Sequence, residues 1–310
     1  MEKAVEELLT EQLQTWEMAK VNYKALTEVR VKELNVNGWL YKVQFNPARI
    51  LSSAAKVDSK SIQARKCFLC AKNLPAAQKK VSFNEHYSIL VNPFPIFPKH
   101  LTIPETEHVD QLIKERFGDM LELAKELKEY NIFYNGPKCG ASAPDHAHFQ
   151  AGNKAFLPIE KEWIYKKADK IVSYKEASLW YLNDPVRATL VIESNEEEAA
   201  IFLFNTIYNA LETKPGEMEP MMNILAWYEK NKWIICVFPR EKHRPSCYFA
   251  EGDKNLLLSP ASVDMGGVFI TPQEKDFEKI TATDIENILR EVCINNSKFL
   301  QLRQLIKEQL

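Results

Sequence analysis

The stretch from Asn131 to Gly152, NIFYNGPKCGASAPDHAHFQAG, constrains this chain more than any other: an apolar run, a glycine-punctuated polar loop, then the alternating triplet His146, His148 and Gln150. In a strand, side chains at i, i+2 and i+4 project from one face, about 6 to 7 Å apart. The spacing therefore predicts a strand that presents two imidazoles and an amide side by side. A neutral imidazole attacks phosphorus at pH 7 without a separate base, because its pKa lies near about 6.5. An amide donates to a phosphoryl oxygen but delivers no proton. Ahead of the triplet, Asn135, Gly136, Gly140 and Ser142 offer backbone N–H groups and a hydroxyl able to cradle an anion in a turn. The combination points to chemistry at phosphorus, against the blander reading of three polar residues on an exposed edge strand.

The segment NGPKCGASAPDHAHFQ resembles the active-site stretch of the histidine-triad superfamily, in its transferase branch: galactose-1-phosphate uridylyltransferase, diadenosine tetraphosphate phosphorylase and the GDP-hexose phosphorylases. The resemblance implies that His148 is the nucleophile that accepts a nucleoside monophosphate, and that Gln150 stands where the hydrolase branch carries a third histidine. It also implies two histidine-triad-like halves, only one of which keeps the reactive triplet. Ala147 and Phe149 depart from the uridylyltransferase pattern and lean toward the phosphorylases, whereas the pair Cys67 and Cys70 leans the other way. A later stretch, SPASVDMGGVFITPQEKDF, is similar to one near the end of the GDP-hexose phosphorylases, with no role assigned to its residues.

Read for its elements, the chain begins with an amphipathic helix, since Val5, Leu8, Leu9, Leu13 and Trp16 recur at helical spacing. Alternation in Trp39, Tyr41, Val43 and Phe45 predicts a strand ended by Asn46 and Pro47. Ser52 to Arg65 reads as a surface connection, Val81 to Val91 as one strand, and HLTIPE as another. Val109 to Tyr130, with apolar residues stepping by three and four, reads as the longest helix, followed by the strand NIFYN. In the second half, Ala188 to Glu193 is a predicted strand and Asn195 the cap of a helix reaching Leu211. MNILAWYEKNKWIICVFPR forms a hairpin turning near Glu229 to Asn231. A strand at Gly267 to Ile270 then leads to a terminal helix from Thr281. The fold class is α+β: a duplicated histidine-triad-like fold of antiparallel sheets with flanking helices, divided into residues 1–160 with the active triplet and 161–310 without it.

Forty basic against 42 acidic side chains set up no global field that favours nucleic acid. No apolar run approaches the ~20 residues of a membrane span, and the charged start MEKAVEELLTEQ is unlike a signal peptide. Six cysteines are too sparse for a disulfide scaffold. A cytoplasmic protein is expected.

Cys67-Phe-Leu-Cys70 places two thiolates within reach of one metal ion, which is half of a zinc site. The remaining ligands come from among His86, His100, His108 and His146. The resemblance to the uridylyltransferases implies Cys67, Cys70, His108 and His146 binding a structural zinc, with His100 the rival of His108. The alternative is a pair of ordinary buried thiols, with His146 bonded to backbone.

Local cations are available at Arg49, Arg65 and Lys66, and again at Arg240, Lys242, His243 and Arg244, where a second phosphate or an ordinary solvated turn is equally compatible with the sequence. Asn92, at a strand end, is a further candidate for the nucleotide, and Phe94 and Phe97 for either a base pocket or the core. The function expected is a nucleotidyltransferase or nucleotide phosphorylase, acting on a nucleotide sugar or dinucleoside polyphosphate through a nucleotidyl-histidine. Its partners are then a nucleotide and a phosphate or sugar phosphate. In this scheme Gln150 and Ser142 stabilise phosphoryl charge beside His148, while Asn92, Asn135, Gly136 and Gly140 hold the nucleotide. A histidine-triad hydrolase and a non-catalytic, zinc-stabilised nucleotide-binding protein are the alternatives.

Overall fold

The computed structural model describes residues 1–50 and 57–310. Two helices, Glu2–Thr15 and Glu17–Leu26, replace the single predicted one, because Trp16 adopts an extended conformation between them. The apolar stripe still does the packing, burying Val5, Leu8 and Leu9 from the first helix and Ala19 and Tyr23 from the second. Strands β1 (Arg30–Val36) and β2 (Trp39–Phe45) form a hairpin. Asn37 and Gly38 both take positive φ in its turn, as a two-residue turn matched to strand twist requires. Of the predicted connection from Ser52 to Arg65, residues 52–56 lie outside the described residues; Ser59–Ala64 is a short helix capped by Asp58.

The remaining first-half strands are β3 (Lys80–Phe83), β4 (Tyr87–Val91), β5 (His100–Pro104), β6 (Tyr130–Asn135) and β7 (His148–Asn153). The predicted strand over Val81–Val91 is thus a hairpin, since Asn84 and Glu85 turn with φ of 50° and 60°. The predicted helix over Val109–Tyr130 is also shorter, running only from Phe117 to Glu126 after a single tight turn at Lys114–Arg116. Its first residues are claimed by tertiary hydrogen bonds: Gln111 N–H donates to Pro144 O, and Ala147 N–H to Val109 O. Helical spacing of apolar side chains cannot reveal that competition.

The second half adds β8 (Lys167–Tyr174), β9 (Ala177–Leu182), β10 (Leu190–Ser194), β11 (Met222–Glu229) and β12 (Lys232–Pro239). Its helix, Glu197–Ala210, is preceded by Glu196 with no side-chain cap, so Asn195 does not cap it. The β11–β12 turn falls at Lys230 and Asn231, both at positive φ. Strand β13 (Val268–Thr271) runs parallel to β2, so the second half completes a three-stranded sheet begun by the first. Three helices follow: the short Glu274–Lys279, then Ala282–Val292 with a Thr281 capping box and Asn296–Glu308 capped by Asn295.

Strands β3 to β12 make one sheet in the order β3-β4-β5-β7-β6-β11-β12-β10-β9-β8. Counted inward from either edge, each half runs first, second, third, fifth, fourth strand, and each has a helix between its third and fourth strands. This is a duplicated α+β fold. The two halves join where β6 meets β11 antiparallel, with Asn135 opposite Asn223. Both helices cover one face, and their Phe117 and Phe204 rings stack at 3.7 Å. Period-2 alternation divides the core: Ile132, Tyr134, Ile224 and Ala226 face the helices, while Phe133, Leu225 and Trp227 face the β2–β13 layer.

Candidate active site

His148 opens β7 opposite Pro104. Phe149 turns into the helix-side core, so His148 and Gln150 project from the other face into a cavity of about 560 Å³. The His148 Nδ1–H donates to the His146 carbonyl oxygen at 2.8 Å, which leaves the Nε2 lone pair without a partner among the described residues. Burial pushes the ring's pKa down to about 4, so it is neutral at physiological pH.

His146 does not share that face. It lies two residues before the strand, in the turn after Pro144, and its Nδ1 points away toward Cys67 Sγ at 3.3 Å. The turn overrides the alternation because Ala147 N–H is drawn to Val109 O and His146 N–H to Ala143 O.

Gln150 is oriented by two donors. Its Oε1 accepts from His100 Nε2 at 3.0 Å and from Asn92 Nδ2 at 3.4 Å, leaving its amide N–H groups as donors. His100 Nδ1 accepts the Ile96 N–H at 3.1 Å, which puts the ring proton on Nε2. His100 is therefore built into the Gln150 support and is not a metal ligand. Asn92 lines the cavity, but its amide also donates to Thr102 Oγ1, and its oxygen accepts from Phe94 N–H.

Gln111, which the sequence did not single out, clamps the site from beneath. Its Oε1 accepts the His148 N–H at 2.7 Å, and its amide donates to the carbonyls of His148 and Asn135. No periodicity marks it, since it sits in the irregular lead-in to a helix.

Gly140 and Ser142 line the cavity together with Ala141, and their backbone N–H groups have no acceptor among the described residues. Gly140 has φ +95°, and a Cβ there would sit 2.5 Å from the Ala261 Cβ, so only glycine fits. Gly136 is different. Its N–H donates to Met222 O at 3.2 Å, and it does not reach the cavity, because β11 already holds this end of β6. Asn135 lines the cavity, but its Oδ1 accepts from Ser262 N–H and Asn223 Nδ2, at 2.8 and 3.0 Å.

Cys67, Cys70, His108 and His146 converge, with their ligand atoms all within 4.8 Å of one another. Cys70 Sγ to His108 Nδ1 is 3.3 Å, Cys70 Sγ to His146 Nδ1 is 3.6 Å, and the two Nδ1 atoms are 3.2 Å apart. A tetrahedral zinc with ordinary bond lengths has edges of about 3.5 Å for S···N and about 3.3 Å for N···N. The residues fit such an ion. Both imidazoles turn Nδ1 inward, while His146 Nε2 donates to Glu105 O at 2.8 Å and His108 Nε2 lies 3.8 Å from Asp145 Oδ2. His86 is not part of the group.

Of the candidate cations, Arg49, Arg65 and Arg244 line the cavity, as does His243, which burial and then the nearby Arg244 and Arg240 push down to about 3 and so keep neutral; Lys66 and Lys242 do not reach it. Arg65 pairs with Asp145 at 3.0 Å, and Lys242 pairs with Glu291. Arg240 is buried and fully used, donating to Asn223 Oδ1 and to the carbonyls of Pro260, Lys242, His243 and Val292. It is a structural hub and not a phosphate ligand. Burial lowers Arg49 to about 10, still charged, and its Nη1 donates to Phe94 O. Phe94 lines the cavity, whereas Phe97 is core. Asp264, also missed from sequence, closes the second-half wall.

Two family models match in tandem: residues 8–153 match the domain of unknown function DUF4922, and residues 166–310 match "GDPGP1-like, C-terminal domain". Galactose-1-phosphate uridylyltransferase of Halalkalibacterium halodurans is 32% identical over 131 residues, 36% of this chain and 26% of that protein. The chain thus spans about a quarter of the uridylyltransferase's length. Protein APA1 of Saccharomyces cerevisiae is 25% identical over 245 residues, 69% of this chain and 71% of that protein. The crystal structure of yeast Ap4A phosphorylase Apa2 in complex with Ap4A superposes with a TM-score of 0.64 at 18% identity, covering 94% of this chain and 98% of that one. The chain is thus similar, half by half, to DUF4922 and the GDPGP1-like C-terminal domain, and its homologues, which include a galactose-1-phosphate uridylyltransferase and Protein APA1, are consistent with the transferase branch of the histidine-triad-like superfamily.

Proposed function

We propose that the chain is a nucleotidyltransferase or nucleotide phosphorylase that acts on a nucleotide sugar or a dinucleoside polyphosphate through a covalent intermediate on His148. The observation that carries this reading is the His148 ring itself: neutral, tied through Nδ1 to a carbonyl, and with Nε2 unpartnered among the described residues in the cavity it shares with Gln150. Nε2 attacks the α-phosphorus, the P–O bond to the leaving phosphate breaks, and that phosphate departs as an anion that needs no proton. Inorganic phosphate or a sugar phosphate then attacks the same phosphorus and releases His148 as the neutral imidazole. Gln150 and the N–H groups of Gly140 to Ser142 donate to the non-bridging oxygens, where charge must be held throughout. Asn92 and Asn135 border the nucleotide. The names of the relatives support this choice, since they describe a uridylyltransferase and a phosphorylase of Ap4A.

Cys67, Cys70, His108 and His146 would hold zinc as a closed Cys₂His₂ set. Four protein ligands leave no open position for substrate, so zinc there supplies rigidity to the His146 carbonyl that orients His148. We place the boundary between halves near residue 160, a reading supported by family matches that end at residue 153 and begin again at 166. Six free cysteines suit a reducing compartment such as the cytoplasm.

The test is to incubate the protein with nucleotide sugars and dinucleoside polyphosphates labelled in the α-phosphate and quench in alkali. An acid-labile, alkali-stable label on the protein is expected, absent from His148→Ala. Label persisting in that variant, or nucleotide release that ignores added phosphate and sugar phosphate, would overturn the transfer reading in favour of another nucleophile or of hydrolysis.

A further inference from the structure

The two walls of the cavity differ in chemistry. Trp16, Leu74, Pro75, Leu90 and Phe94 give the first-half wall an apolar patch, as a nucleobase requires, beside the polar group of His148, Gln150 and Asn92. The second-half wall sets His243, Arg244, Ser259 and Asp264 among the apolar Ala261, Val263 and Ile270. Asp264 is the one carboxylate among the described residues that line the cavity. It is 7% exposed. Its Oδ2 accepts the Ala261 N–H at 2.8 Å, and the Ile270 N–H also bonds to the carboxylate, so the side chain is fixed. Arg49, within electrostatic reach, does not pair with it. The segment that carries Asp264 is locked against the catalytic loop, since Ser262 Oγ donates to Tyr134 O at 2.6 Å and Ala261 packs on Gly140.

A fixed carboxylate on the cavity wall is a poor neighbour for phosphate and can still accept a hydroxyl through a remaining lone pair. Burial already lifts Asp264 to about 7, so a second anion beside it would be repelled or would force it to protonate. From this geometry, and resting on the nucleotidyl-transfer reading above, we propose that Asp264 is a specificity-determining residue. It accepts a hydroxyl of the leaving group and rejects a polyphosphate chain at the same place. A leaving group of one phosphate followed by a sugar satisfies both parts of the wall, its phosphate near Arg244 and its hydroxyl on Asp264. A leaving polyphosphate sets anionic oxygens where the carboxylate stands, a built-in penalty against the wrong partner.

The experiment compares kcat/KM for nucleotide hexoses and dinucleoside tetraphosphates of the same base, in the adenine, guanine and uracil series, between the unaltered protein and Asp264→Asn. Asparagine keeps the shape and can still accept from Ala261. The hexose substrate should lose roughly 10- to 100-fold, the worth of a hydrogen bond to a charged group. The tetraphosphate should gain, so that the preference narrows or inverts. An unchanged ratio with both substrates turned over overturns the assignment while leaving nucleotidyl transfer intact. If no compound of either kind binds or labels the unaltered protein, the transfer reading falls and this assignment with it. Should Asp264→Asn not fold, the unaltered protein decides the matter: hexose 1-phosphate must compete for the site better than inorganic tripolyphosphate, and the reverse order overturns the proposal.

Discussion

Strands β7 and β12 occupy the same place in their respective halves, fifth in sequence and fourth from the edge, yet they read HFQAGN and KWIICVFP. The first presents His148 and Gln150 to a cavity; the second buries Trp233, Ile235 and Val237 under the helices and Ile234, Cys236 and Phe238 on the other side. The comparison teaches that a duplicated architecture can be retained when one copy has no reactive strand. The silent copy contributes walls and anchors in its place: Asn223 and Ser262 hold Asn135, Arg240 ties five acceptors, and Asp264 faces the cavity.

The sharpest way to break that comparison is to disable one residue on each strand. His148→Ala should lower nucleotidyl transfer by more than about 10³-fold, as loss of a covalent nucleophile does, with little change in the unfolding midpoint. Cys236→Ala on β12 should cost on the order of 1 kcal/mol of stability and leave transfer rates within a factor of about two. Transfer lost in the second variant and kept in the first would reverse the roles assigned to the two halves.

Metal removal comes next. Stripping the Cys67, Cys70, His108, His146 group with a chelator, or replacing Cys67 by Ser, should destabilise the protein by more than about 3 kcal/mol and slow transfer, because the His146 carbonyl loses its anchor. Metal analysis giving one zinc per chain in the unaltered protein and none in Cys67→Ser would support this. A chain without zinc but with full activity would refute it.

A smaller effect is expected at Gln111. Substitution by Leu leaves the His148 N–H and two carbonyls without partners, which costs roughly 1 to 3 kcal/mol of stability. Because the same bonds set the position of His148, kcat should fall more than KM rises. A stability loss with unchanged kcat would limit Gln111 to a structural part.

The smallest effect is on the pH profile. With His148 held at about 4, the nucleophile stays neutral from pH 8 to pH 5, so in Asp264→Asn, where the other titrating group of the cavity is removed, intermediate formation should be flat there and fall only as pH drops through about 4. An unshifted imidazole would lose activity near pH 6.5 instead. The same depressed pKa has a stability consequence of definite sign. Between about 6.5 and about 4 the unfolded chain binds the proton and the folded one does not, so stability falls as pH falls through that window. Urea midpoints at pH 7 and pH 5 for the unaltered protein and His148→Ala would measure the difference.

The strands with clean alternation were legible in the sequence, as were the β11–β12 hairpin and the cysteine pair, because period and turn chemistry are local properties. The triplet H-x-H-x-Q was legible as a group but not in its geometry. A strand period was extended to His146, and the turn that removes it depends on a hydrogen bond to Val109. The long helix was over-read for the same kind of reason, a local pattern overruled by partners elsewhere in the chain. Strands β8 and β9 escaped notice because KADKIVSY, at the sheet edge, mixes lysines among its apolar residues. Gln111, His100 and Asp264 carry no sequence signature, since each owes its place to residues that only folding brings near.

The halves meet along two seams, β6 against β11 and β2 against β13. A protein cut between them would therefore expose four bare strand margins, two per fragment, each a ready template for adhesion to another chain. Such fragments would be expected to recombine with each other or to clump. Selection acting on the silent copy is then as much about keeping its sister soluble as about supplying walls to a pocket.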